Sequence, residues 1–92
     1  MTSRSVTIVN ELRMHARAAA KFVHAASTFE SRILVSRQRH EVDGKSIMGL
    51  LLLAAARGRL ITITADGPDE ERAVAELADL VMDGFGDGTC SA

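Results

Sequence analysis

The sequence predicts an α+β sandwich, a single small sheet with helices on one face. Two kinds of segment predict it: short stretches rich in β-branched residues, and longer ones whose apolar residues recur at helical spacing. They follow one another as β-α-β-β-α-β-α, with short connections and no linker, repeat or low-complexity segment. One layer of helices on one sheet is the economical packing for that order.

Ser5 to Val9, "SVTIV", reads as the first strand because it is β-branched and half alternating. Ala16 to Thr28 reads as a helix, with Ala19, Phe22, Val23 and Ala26 on one apolar stripe. Arg32 to Arg37 is a second strand, with Ile33 and Val35 on one face. "QRHEVD" (Gln38 to Asp43) reads as a turn and a short polar strand near a sheet edge. Ser46 to Ala55 reads as a second helix and Leu60 to Ala65, "LITITA", as a strand with Ile61 and Ile63 inward. "DGPDEE" (Asp66 to Glu71) opens the last helix. Pro68 fits the first helical position there, and Asp69, Glu70 and Glu71 complement the helix start. Val74, Leu77, Ala78, Val81 and Phe85 form that helix's stripe, and Gly84, Gly86 and Gly88 mark its end.

At 92 residues, one domain is expected over 1–92, with an ordered core over about 5–85 and a loose tail over 86–92. A net charge of −1 gives no global field toward nucleic acid or an anionic membrane. The absence of Trp and Tyr argues against base-stacking surfaces. Cys90 is the one cysteine, so no internal disulfide forms. The N-terminus lacks a signal-peptide pattern, and the longest apolar run, Ile47 to Ala56, is too short to span a bilayer. A cytoplasmic monomer is expected, with no membrane insertion. No His, Cys or acidic residues have metal-ligand spacing, so no metal or other cofactor is expected. No Gly-rich nucleotide loop is present, so the chain is not expected to supply an ATP site of its own.

In "RMHARAAA" (Arg13 to Ala20), two cationic side chains, His15 and Arg17, stand where a helix begins. That end of a helix favours anions, so cations belong there if an anion arrives between them. The first-turn N–H groups of Ala16, Arg17 and Ala18 lack helical partners. A phosphoryl group carried on His15 would take those donors, and the Arg17 guanidinium would add a charge-assisted pair. Imidazole is nucleophilic near neutral pH and both receives and releases a phosphoryl group. By spacing alone His-x-Arg is weak, since a histidine beside a helix start is usually a solvated surface residue.

At these residues the sequence resembles HPr, the histidine-containing phosphocarrier family of the bacterial phosphotransferase system, including its nitrogen-related branch. The family pattern Gly-Leu-His-[Ala/Thr]-Arg-Pro-Ala reads here Arg13-Met14-His15-Ala16-Arg17-Ala18-Ala19, departing at Arg13 and Ala18. "GKSIMGLLLLAAARG" (Gly44 to Gly58) and "ITITADGPDEERAV" (Ile61 to Val74) carry the resemblance further. It implies an open-faced β-sandwich, a four-stranded antiparallel sheet with three helices on one side. It implies that His15 takes a phosphoryl group from Enzyme I, which draws it from phosphoenolpyruvate, and passes it to a downstream enzyme II A-type domain. Arg17 is implied to stabilise that group.

Ser46 sits at the expected N-cap of the second helix, a sufficient reason for a serine. No capping box forms, because Gly49 stands where Glu or Gln would be. In many relatives the matching serine is phosphorylated by an HPr kinase/phosphorylase, so the resemblance implies regulation at Ser46. The second helix is apolar nearly all round, and one helix on one sheet cannot bury every face. Leu50 and Leu53 fit the core best; the resemblance implies that Ile47, Met48 and Leu51 contact partners. His24, on the first helix, is expected near the same docking face. Three readings stand: a phosphocarrier, a regulatory adaptor of the same fold working through Ser46 and the apolar patch, and an effector-binding module without phosphoryl chemistry.

Overall fold

The computed structural model describes residues 1–7, 16–54 and 60–83. Along these the order is β1 (Thr2–Thr7), α1 (Ala16–Ala26), β2 (Arg32–Arg37), β3 (His40–Asp43), α2 (Ile47–Ala54), β4 (Leu60–Asp66) and α3 (Glu70–Met82). The four strands form one sheet in the order β1-β4-β2-β3, antiparallel throughout. The polar strand β3 is at an edge, as its sequence suggests.

Strand alternation decides what faces the helices. Ile33 and Val35 of β2, Ile61, Ile63 and Ala65 of β4 and Val6 of β1 are buried against Ala18, Ala19, Phe22 and Ala26 of α1, Leu50 and Leu53 of α2, and Val74, Leu77, Ala78 and Val81 of α3. The opposite sheet face is open to water. There β1 and β4 are laced by hydroxyl pairs, Ser3–Thr64 at 3.0 Å and Ser5–Thr62 at 2.9 Å.

The first strand starts earlier than its apolar residues announce. It pairs with β4 from Thr2↔Ala65 onward, because β4 runs to Asp66 and offers a ladder partner to the polar "TSRS". Positions 8 and 9 lie outside the described residues, as do Phe85, Gly84, Gly86, Gly88 and Cys90.

The last helix also begins differently. Pro68 is not its first residue: the first helical bond, Ala73 N–H to Asp69 C=O at 2.9 Å, starts one residue later, with Asp69 at the N-cap. Nor does Asp69 cap its own helix. Its carboxylate accepts from the backbone N–H groups of Glu30 (2.9 Å) and Ser31 (3.0 Å) and from the Ser31 hydroxyl. The Ser31 hydroxyl, followed by the Glu30 N–H, holds its pKa below the usual carboxylate value. Asp69 therefore pins the turn between α1 and β2, where Ser31 is fully buried. Two cations hold the same turn. Arg72 lies 5.2 Å from the Phe29 ring centroid, and Lys45 Nζ donates to Phe29 C=O at 2.9 Å.

Glu70 ties β1 to α3. It accepts from the Gly67 N–H (3.1 Å), the Thr2 hydroxyl (2.6 Å) and the Met1 ammonium (2.8 Å). The ammonium bond, then Thr2 and Gly67, pull its pKa from 4.5 to about 2, and the ammonium is raised above 8.0 in return. A depressed carboxylate stabilises above its unfolded pKa, and that stability is lost as pH falls through its folded one. Glu70→Gln should therefore melt below the unsubstituted chain near pH 6 and close the gap between pH 4.5 and about 2. Thermal melts across that range check this; a gap that stays constant would show that the carboxylate charge does not matter.

Candidate functional site

Topology divides the described residues of the predicted site between the two ends of the molecule. β1 and β2 both run antiparallel to β4, so they are parallel to each other and α1 runs back between them. β3 and β4 both run antiparallel to β2, so α2 runs back the other way. The helices α1 and α2, which pack together, are thus antiparallel. The start of α1, the end of β2, the end of α2 and the start of β4 share one end. The turn at Phe29, the start of α2 and the start of α3 share the other.

His15 lies outside the described residues. The helix that follows it begins at Ala16. The N–H groups of Ala16, Arg17 and Ala18 occupy its first turn, where no intrahelical acceptor exists. Arg17 is exposed, while Ala18 and Ala19 are fully buried. The first turn is thus bedded in the core and offers its cation to solvent.

The docking residues separate by exposure. Leu50 and Leu53 are in the core; Ile47 is 42% and Met48 69% exposed, and Leu51 is half-buried. Leu52, not singled out from the sequence, is 70% exposed, as much as Met48 four residues before it. That i, i+4 spacing is the signal that could have found it. On α1, His24 is exposed along with Arg17 and Ala20. Each of the two packed helices therefore keeps an exposed row.

Ser46 occupies the N-cap of α2. Its hydroxyl accepts from the Gly49 N–H at 3.0 Å and its carbonyl from the Leu50 N–H at 3.0 Å. The approach to it is a tight turn in which the Lys45 N–H donates to the Asp43 carboxylate at 2.9 Å. Gly49 also explains the missing capping box: a Cβ there would sit 3.1 Å from Val42 Cβ. Ser46 is at the opposite end of the helical layer from Arg17, an α1 length of about 16 Å away. It does not join the first turn of α1.

Two residues absent from the sequence-predicted site carry structure around it. Asp69 secures the far turn. Arg37, third in the inward alternation after Ile33 and Val35, is only 3% exposed, and its Nη1 donates to Leu53 C=O at 3.2 Å. Among the described residues no three His, Cys, Asp or Glu side chains come together as metal ligands. Nor is any described helix long and apolar enough to cross a membrane.

Comparison with known proteins agrees with this arrangement. A family model described as the phosphotransferase-system HPr component phosphorylation site matches residues 2–83. The phosphocarrier protein HPr of Neisseria meningitidis is 47% identical over 88 residues, covering 96% of this chain and 99% of its own. That of Cupriavidus necator is 46% identical with the same coverage. Among solved structures, HPr of Thermoanaerobacter tengcongensis superposes with a TM-score of 0.88 at 39% identity, covering 97% of this chain and all of its own. The open four-stranded sheet, the antiparallel α1 and α2, and matches that span nearly the whole chain lead to one assignment: the chain belongs to the HPr family of phosphotransferase-system phosphocarriers.

Proposed function

We propose that this chain accepts a phosphoryl group on His15 from phospho-Enzyme I and hands it to an enzyme II A-type domain. The observation that carries the reading is an exposed Arg17 on the first turn of a core-anchored helix whose first residue directly follows His15. In the step, the Nδ1 lone pair of neutral His15 attacks phosphorus. A nitrogen–phosphorus bond forms as the bond to the donor breaks, the donor atom leaving with the bonding electrons, and the ring's one N–H, on Nε2, stays in place. The N–H groups of Ala16, Arg17 and Ala18 and the Arg17 guanidinium meet the phosphoryl oxygens. Little covalent machinery is needed, because positioning and charge neutralisation supply most of the catalysis of phosphoryl transfer.

Incubation with Enzyme I and labelled phosphoenolpyruvate tests the reading. One acid-labile, base-stable equivalent of label is expected, transferable to an A-type domain. A chain that takes no label rejects the carrier function and leaves the adaptor reading. Arg17→Ala should slow transfer by roughly 100-fold, the scale of one donor lost from a preorganised anion site. Its melting temperature should stay within a few degrees, because exposed surface positions contribute little to stability. Unchanged kinetics would remove Arg17 from the step.

The Ser46 hydroxyl is a second site of the same proposal. Phosphate there would extend the N-cap of α2, where negative charge is favourable to the helix, and add about −1.5 to −2 charges beside Ile47 and Met48. The fold would stay and docking would weaken. Ser46→Asp should bind Enzyme I several-fold more weakly at low salt, with the penalty shrinking as ionic strength rises. Equal affinity at low salt would sink the regulatory role.

A further inference from the structure

Arg37 is a guanidinium in a hydrophobic core, and such a charge persists only where something answers it. What answers it includes Leu53 C=O, in the last turn of α2. Among the described residues that turn carries no basic side chain of its own. A helix C-terminus carries about half a negative charge. Left bare, the end of α2 would direct that charge at the end of the molecule where α1 begins, the place assigned to a phosphoryl dianion.

We infer that Arg37 is a positioning residue for the phosphoryl site: its buried guanidinium neutralises the C-terminal end of α2 and keeps the neighbouring start of α1 receptive to a dianion. The inference rests on the carrier reading above. Arg37 itself does not touch the phosphoryl group in this account. It acts through α2, and through burial, because a charge shielded from water is felt farther than an exposed one. The other charged groups described at this end include Arg17 on α1, Arg39 and His40 in and after the β2–β3 turn, and the carboxylates Asp79 and Asp83 at the end of α3, all exposed. Those are open to salt screening, whereas Arg37 is not.

The test uses the full chain with Arg37→Gln, which keeps a donor for Leu53 C=O and removes the charge. Arg37→Met and Arg37→Lys complete the set. Two readouts are needed: the His15 imidazole titration by NMR, and the equilibrium of label between the chain and Enzyme I. In Arg37→Gln the His15 pKa should rise by roughly half a pH unit, and label should shift about threefold toward Enzyme I. Arg37→Met should do the same or more, and Arg37→Lys should restore both. A lowered melting temperature with both readouts unchanged would make Arg37 a packing residue and overturn the inference. So would a Lys variant that behaves like Gln. Failure of the unsubstituted chain to take label rejects the carrier reading instead, and the imidazole titration then judges Arg37 by itself.

Discussion

His15→Ala is expected to take up no label from phospho-Enzyme I, under conditions in which the unsubstituted chain is labelled to one equivalent. The loss should be complete, because of the three histidines in the sequence only His15 directly precedes the first residue of α1 and has a cation two residues on. Of the other histidines, His24 lies two turns into α1 and His40 on the edge strand β3. Neither has first-turn N–H groups to receive an anion. The variant should keep its circular dichroism, since the core is built from the strand and helix faces named above. Residual labelling with the stability of a phosphoramidate would move the reacting histidine to His24 or His40. Residual labelling stable in acid would point to a hydroxyl.

Gly67→Ala should be the most destabilising single-methyl addition among the described residues. A Cβ at Gly67 would lie 2.6 Å from Ser31 Cα, 2.7 Å from Ser31 Oγ and 2.9 Å from Ser31 Cβ. The obstacle includes main chain, and that main chain cannot retreat, because Asp69 grips the N–H groups of Glu30 and Ser31 on the same turn. Either the β4–α3 connection moves away from the α1–β2 turn or the Asp69 bonds open. Forced overpacking of this kind costs about 2–3 kcal/mol. For a domain of this size that is a fall in melting temperature of roughly 10–20 °C. A fall of only a few degrees would show the connection to be more pliant than its hydrogen bonds suggest.

Much of this fold is legible in the sequence, for reasons that mark where legibility stops. β2 and β4 are read nearly to the residue because their β-branched alternation has one buried face. The apolar stripe of α3 is likewise read correctly through Val81, because its buried residues share one face of the helix, turned toward the sheet and α1. Polar segments are another matter. β1 begins at Thr2 for the sake of a partner strand about 60 residues away, and nothing in "TSRS" itself asks to be a strand. Asp69 looks like a helix-start acid and acts instead on a distant turn. Arg37 sits in the inward register of β2, but a charged residue there reads as the strand's end until a carbonyl appears opposite it. Of the candidate site, the sequence shows the order of His15, Arg17 and Ser46. It does not show that Arg17 and Ser46 lie at opposite ends of the helical layer, which depends on α1 and α2 running antiparallel.

The strand order has a kinetic consequence. Among the described residues, the hairpin of β2 and β3 is the only pairing of chain neighbours in the sheet; both partners of β4 precede it, and Ser3 meets Thr64 across 61 residues. Closing such long loops must come before the contacts that reward it, so domains with this wiring fold more slowly than helical ones of equal length. On a ribosome, every residue up to Asp66 must emerge before the central strand exists to be joined. Until then α1, α2 and the hairpin have no completed sheet to cover, and the leucines of α2 wait in water. The apolar helix face that the finished protein keeps only in part is, in the nascent chain, exposed in full, which makes this interval the one in which the protein is most prone to associate with the wrong surface.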